Sequence, residues 1–195
     1  ELFGGAGTNV LTGGAGADTI TFAAAGIVET VIFNTVLDGA AIGVDGAGDA
    51  VTTFVSTEDL IHINGALEIL VDDAGAATAN GAILWAQIDA ATDATAEAFN
   101  AGTGVEAIML DESELGVTNF TNISLVAAEL EEEVNLTAAL GDDALIVIED
   151  IADNDFGVWM YTETGDTVNE FNVEDLTLLG IFTADNVAAG DFAII

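Results

Sequence analysis

From residue 65 onwards the apolar residues fall into short runs, separated by clusters of Gly, Asn, Asp and Thr. That is the pattern of a chain that turns often and pairs strands. Runs at 67–71, 82–88, 105–110, 145–148, 158–162 and 176–179 predict strands, and most are apolar at consecutive positions instead of alternate ones. Successive side chains of a strand point to opposite faces, so these runs suit strands covered on both sides, by another sheet or by another molecule. Short helices are expected at 94–99 and 125–134. The expected fold class is all-β, with β-sandwich-like strands and one or two short helices.

The first residues follow a different rule. Gly4-Gly5-Ala6-Gly7-Thr8-Asn9-Val10-Leu11-Thr12 runs directly into Gly13-Gly14-Ala15-Gly16-Ala17-Asp18-Thr19-Ile20-Thr21, two nine-residue units in register. Both fit GGxGx(D/N)x(apolar)x. Closely spaced glycines permit backbone conformations closed to other residues, which lets carbonyls turn towards one point, and the sixth position adds a carboxylate or amide oxygen. Three residues of strand follow, with one apolar side chain facing inwards. Hard oxygen ligands beside a short strand predict a calcium-binding parallel β-roll. The candidate ligand positions are Gly5, Gly7 and Asn9 in the first unit and Gly14, Gly16 and Asp18 in the second.

At these repeats the chain resembles the RTX family of secreted bacterial proteins, which includes serralysin-type proteases, lipases, adhesins and surface-layer proteins. The resemblance extends to Gly48-Asp49-Ala50-Val51-Thr52-Thr53-Phe54 followed by Glu58-Asp59-Leu60-Ile61-His62-Ile63, which looks like that family's capping segment with Leu60 in place of the usual lysine. Asp191-Phe192-Ala193-Ile194-Ile195 looks like the acidic-then-apolar ending of proteins exported by type I secretion. The resemblance implies calcium as the bound ion and adds Asp45, Asp49 and Asp59 as candidate ligands. It also implies an extracellular or cell-surface location. Asn9 departs from the usual Asp and predicts a weaker site. Because two nonapeptides make only one turn of such a roll, the repeats supply half-sites. Upstream repeats, the 45–49 loop or a neighbouring subunit would complete them.

Charge gives these motifs their weight. The chain of 195 residues carries 35 Asp and Glu, one His and no Lys or Arg, for a formal charge of −35. A domain of this size would ordinarily hold about two dozen basic residues. Without any, no side chain can neutralise phosphates, which excludes nucleic acid as a partner, and docking on anionic lipid is excluded likewise. At 51% hydrophobic the chain is too apolar for a disordered acidic tail. No uncharged apolar run reaches the roughly 18 residues of a membrane helix, so membrane insertion is not expected. Cysteine is absent, which removes disulfides and thiolate metal sites. Carboxylates that repel one another without basic partners call for cations from solution.

Catalysis is poorly provided for. There is one His (His62), none of the three serines lies in G-x-S-x-G, and no HExxH motif occurs. Phosphoryl transfer leans on Lys or Arg, which are missing. The chain is read as no enzyme. Domains are expected at 1–64, the roll and its cap, and at 65–195, with a possible subdivision near 141. The chain starts at Glu1 with no signal-peptide pattern, which reads as processing or as part of a longer protein. Apolar strands with neither Pro nor Lys to guard their edges suit association once calcium neutralises the carboxylates. The expected function is an extracellular calcium-binding structural protein that self-assembles into a homo-oligomer or polymer, as a surface layer or filament. The alternative is a type I secretion and calcium-dependent folding module of a larger secreted enzyme or adhesin.

Overall fold

The computed structural model describes residues 1–23, 25–39, 43, 45–46, 48–64, 71–72, 76–77, 85–87, 97–101, 107–110, 120–150, 154–165, 169–184 and 186–194. In the two repeats Gly5, Gly7, Gly14 and Gly16 all adopt positive φ, between 75° and 93°. Only glycine enters that region freely, so each unit turns sharply before its strand. The strands are β1 (Leu2–Phe3), β2 (Asn9–Leu11), β3 (Thr19–Thr21), β4 (Glu29–Phe33), β5 (Asp49–Thr52) and β6 (Leu60–Ile63).

These six strands alternate between two sheets. β1, β3 and β5 lie side by side in one and β2, β4 and β6 in the other, all parallel. One circuit brings Ile20 opposite Leu2, and the next brings Ala50 opposite Thr19. In the second sheet Glu29 lies opposite Asn9 and Leu60 opposite Thr30. Inward side chains Ile20, Val31, Phe33, Val51, Ile61 and Ile63 are all 0% exposed and fill the space between the sheets. His62 points away from Ile61 and Ile63, as the alternation requires, and partial burial lowers its pKa.

The chain continues through β7 (Val71–Asp72), β8 (Ala76–Ala77), β9 (Trp85–Gln87), β10 (Glu97–Asn100), β11 (Ala107–Leu110), α1 (Ile123–Glu133), β12 (Val134–Thr137), β13 (Asp143–Asp150), β14 (Asp155–Thr162), β15 (Leu176–Thr183) and β16 (Phe192–Ile194). The first sheet grows to eight strands, in the order β1-β3-β5-β15-β14-β13-β11-β9. The second becomes β16-β6-β4-β2. The expected boundary near Gly65 lies outside the described residues. Both sheets hydrogen-bond across it, through β5 with β15 and β6 with β16.

The consecutive apolar runs now have a cause. In β13, Leu145 and Val147 face the core between the sheets, while Ala144, Ile146 and Ile148 face a second core beneath α1, β10 and β12. None of the five is more than 1% exposed. β14 divides the same way, Val158 and Met160 against Trp159 and Tyr161. Each fully buried large side chain contributes about 1.5–3 kcal/mol, so a strand with two apolar faces can be held only in the middle of three layers. Between β14 and β15 the register slips, since Val158 opposes Gly180 and Trp159 opposes Leu178. At the slip Gly180 sits in tight quarters, since a β-carbon there would stand 3.1 Å from the Phe33 ring and 3.2 Å from the Asp49 carbonyl. Phe54 anchors the same region, edge-on to Phe156 and Phe182.

α1 overlaps the helix expected at 125–134, starting two residues earlier and ending at Glu133. The Asn122 side chain accepts from Leu125 N at 3.3 Å, and Ile123, Val126, Ala127 and Leu130 form its buried face. The helix expected at 94–99 is corrected. Residues 94–96 lie outside the described residues, and Glu97–Asn100 is a strand that pairs in parallel with β12, Phe99 opposite Leu136. Both of those side chains are buried in the second core, and that burial outweighs the weak local preference for helix. Of the other expected strands, 67–71 and 82–88 are described only at 71 and 85–87. Those at 105–110, 145–148, 158–162 and 176–179 hold β11, β13, β14 and β15. Among the described residues no helix is long and apolar enough to cross a membrane.

Candidate functional site

An acid stands at the start of most strands of the winding, and the circuits stack these acids in columns. In the first sheet Asp49 reaches back one circuit, and its Oδ1 accepts from Asp18 N at 2.8 Å. In the second sheet Asp59 Oδ1 accepts from Glu29 N at 2.8 Å and its Oδ2 from Val55 N at 2.9 Å. Glu29 accepts in turn from Ala23 N and, at 3.0 Å, from Asn9 Nδ2. Asp191 completes the column, with Oδ1 taking Thr57 N at 2.9 Å and Oδ2 taking Ser56 Oγ at 2.6 Å. Glu29, Asp49, Asp59 and Asp191 are all 2% exposed or less. Neutral N–H and O–H groups therefore do the work that basic side chains usually do beside a buried carboxylate.

Asp49 is the exception within this arrangement. Its Oδ2 is buried and has no hydrogen-bond partner. Burial pushes its pKa from 3.8 up to about 7, and the neighbouring charges of Asp18 and Asp38 add to the rise, against the lowering effect of the Asp18 N–H. Asp59 is raised for the same first reason, with its two backbone donors opposing. Gly13 makes room for Asp49, since a β-carbon there would lie 2.4 Å from Oδ2 and 3.1 Å from Asp18 Cβ. Gly4 does the same for Glu29.

The predicted ligands are thus only partly brought together. Asp18 and Asp49 meet in one column, beneath the turn that carries Gly14 and Gly16. Gly5, Gly7, Gly14 and Gly16 form open turns with nothing within 4 Å of where a β-carbon would stand. Asn9 spends its amide on Gly7 O at 2.6 Å and on Glu29. Asp59 has both oxygens occupied by backbone N–H groups and serves as a strap. Asp45 leaves the 45–49 loop's other carboxylate and accepts from Ile123 N at 3.0 Å, at the start of α1. Among the described residues no three Asp, Glu or His side chains converge as a cation cage. Calcium takes six to eight oxygens; the oxygens present here are the unpartnered Asp49 Oδ2 and the carboxylate of Asp18, whose Oδ1 lies 3.8 Å from the N-terminal ammonium.

Sequence reasoning passed over Glu29, Asp38, Glu163 and Asp175, each 5% exposed or less. Glu163 accepts from Tyr161 Oη at 2.9 Å and Gly165 N at 2.8 Å, and this contact with burial raises the tyrosine pKa. Asp175 accepts from Thr164 N at 3.0 Å. A signal was present for some of them: Glu29, like Asp49, opens a strand, and Asp175 and Asp191, like Asp59, stand directly before one.

No protein-family model, curated protein or solved structure matches this chain.

Proposed function

We propose that this chain is an extracellular calcium-binding structural protein, whose six-strand winding acts as a parallel β-roll and whose open strand edges join copies into a surface layer or filament. The observation that carries the reading is Asp49 Oδ2, a buried carboxylate oxygen without a partner beside a second carboxylate, in a chain with no Lys or Arg. Left-handed glycines in both repeats support it, because they free turn carbonyls to act as ligands. The edges support assembly: β1 and β2 end their sheets, and there Phe3 is 66% and Val10 63% exposed.

The test is to add calcium to chelator-treated protein while following light scattering and circular dichroism together. Ordered polymers that dissolve again in chelator are the expected result. Asp18→Ala should weaken the calcium response more than Asn9→Ala, because it removes a charge as well as an oxygen. No response to millimolar calcium, with sodium chloride folding the chain equally well, would end this reading. The open β1 and β2 edges also favour a second reading, in which upstream repeats add circuits and the chain is the type I secretion and calcium-dependent folding module of a larger secreted enzyme or adhesin. Calcium-driven folding to a stable monomer would select it.

A further inference from the structure

The chain between β5 and β6 carries two strained residues. Thr53 has φ 68° and Thr57 φ 72°. A β-branched residue in the left-handed region is a true outlier, because its β-carbon crowds the following carbonyl oxygen. Such a conformation lasts only while the surroundings over-determine it.

Two buried carboxylates supply the hold. Asp59, close by in sequence, accepts from Val55 N at 2.9 Å. Asp191 comes from far along the chain. Its Oδ1 accepts from Thr57 N at 2.9 Å, and its Oδ2 accepts from Ser56 Oγ at 2.6 Å and from Ala188 N at 2.9 Å. Asp191 stands directly before β16, so the bond that fixes Thr57 is tied to the docking of that strand. β16 is only three residues long and ends the second sheet, with Phe192 opposite Ile61, Ala193 opposite His62 and Ile194 opposite Ile63. Phe192 is buried and rests against Trp85, ring centroids 5.0 Å apart.

Lifting β16 off β6 gives up these few contacts and takes Asp191 away from Thr57, which can then return to an ordinary negative φ. Strain that exists only in the docked state lowers the free energy of undocking. Short, locally held elements are those that open without global unfolding.

We infer that β16 is a sprung latch: it undocks from β6 as a unit while the 56–57 turn relaxes, far more often than the protein unfolds, and each opening lays bare the β6 edge and the slot of Phe192. The experiment is native-state hydrogen exchange of the folded, nitrogen-15-labelled full chain, read residue by residue. Protection factors at Phe192–Ile194 are expected at least tenfold below those of β13 and β14. Thr57→Gly keeps the N–H that Asp191 accepts, removes only an exposed side chain and takes the left-handed φ without strain. It should slow exchange in β16 at least threefold, the greater freedom of glycine in the undocked turn offsetting part of the relief. Thr57→Ala retains a β-carbon and should slow it less than glycine does. Asp191→Asn keeps the shape but weakens the hold on Ser56 and Ala188, and should speed exchange in β16 at least tenfold; if that variant does not fold, the comparison at position 57 decides alone. The inference is overturned if β16 is as protected as β13 and β14, if Thr57→Gly leaves its exchange unchanged or speeds it, if alanine slows it as much as glycine, or if folded Asp191→Asn exchanges like the parent.

Discussion

Replacing Asp49 by Asn in calcium-free protein should stabilise the fold at neutral pH, although it alters a fully buried polar residue. Asp49 is 1% exposed, with one oxygen bonded to Asp18 N and the other unpartnered. Its pKa stands at about 7 against 3.8 for the free side chain. Between those values the native protein holds a proton that the unfolded chain has released. Stability from this group is therefore fully present below pH 4, declines as pH rises and is lost above about pH 7. The shift is worth about 4 kcal/mol. Asn keeps the shape and carries no charge, so the variant should match the parent near pH 4 and exceed it by up to about 4 kcal/mol at pH 8. Urea denaturation of both proteins across this range, after chelation, measures the difference directly, and subtraction removes the repulsion common to all other acids. Saturating calcium should invert the order, since each tenfold excess over Kd adds about 1.4 kcal/mol to the parent alone. A calcium-free variant that is less stable than the parent at pH 8, or a difference that does not change with pH, would refute the reasoning.

Other substitutions test the architecture. Gly13→Ala drives a β-carbon to within 2.4 Å of Asp49 Oδ2 and should cost about 1–3 kcal/mol, read as a lowered thermal midpoint. Asp59→Ala leaves Glu29 N and Val55 N without their acceptor, for a loss of about 1–3 kcal/mol per group in urea denaturation. Leu145→Ala and Ile146→Ala lie on opposite faces of β13 and should each cost about 2–5 kcal/mol. A near-neutral result for either one would mean that one of the two cores is not closed.

Much of the winding could be read from residues alone. Glycine pairs at a nine-residue spacing demand left-handed turns, and Gly5, Gly7, Gly14 and Gly16 occupy them. The consecutive apolar runs in β13 and β14 announced two covered faces, and the helix expected at 125–134 overlaps α1, which runs from Ile123 to Glu133. The helix expected at 94–99 was misread because Ala and Glu favour a helix locally, whereas Phe99 is committed by a core assembled from residues far along the chain. The candidate site was legible in its types and not in its pairings. Asp18 and Asp49 meet because successive circuits stack them, and Asp45 goes to α1 because the helix start offers an unpaired N–H.

By itself, the sequence determined that no lysine or arginine could answer a carboxylate, that the first residues would turn at every glycine pair, and that the long strands would be buried on both sides. These are local or compositional properties, and no folding can change them. Only the tertiary structure decided what answers the buried acids. Backbone N–H groups, some from the preceding circuit and some local, together with the Ser56 hydroxyl, do so for Asp59, Asp191 and one oxygen of Asp49, and leave the other oxygen of Asp49 alone. That choice depends on which residues the stacking brings within about 3 Å, a distance set by strand register across both sheets.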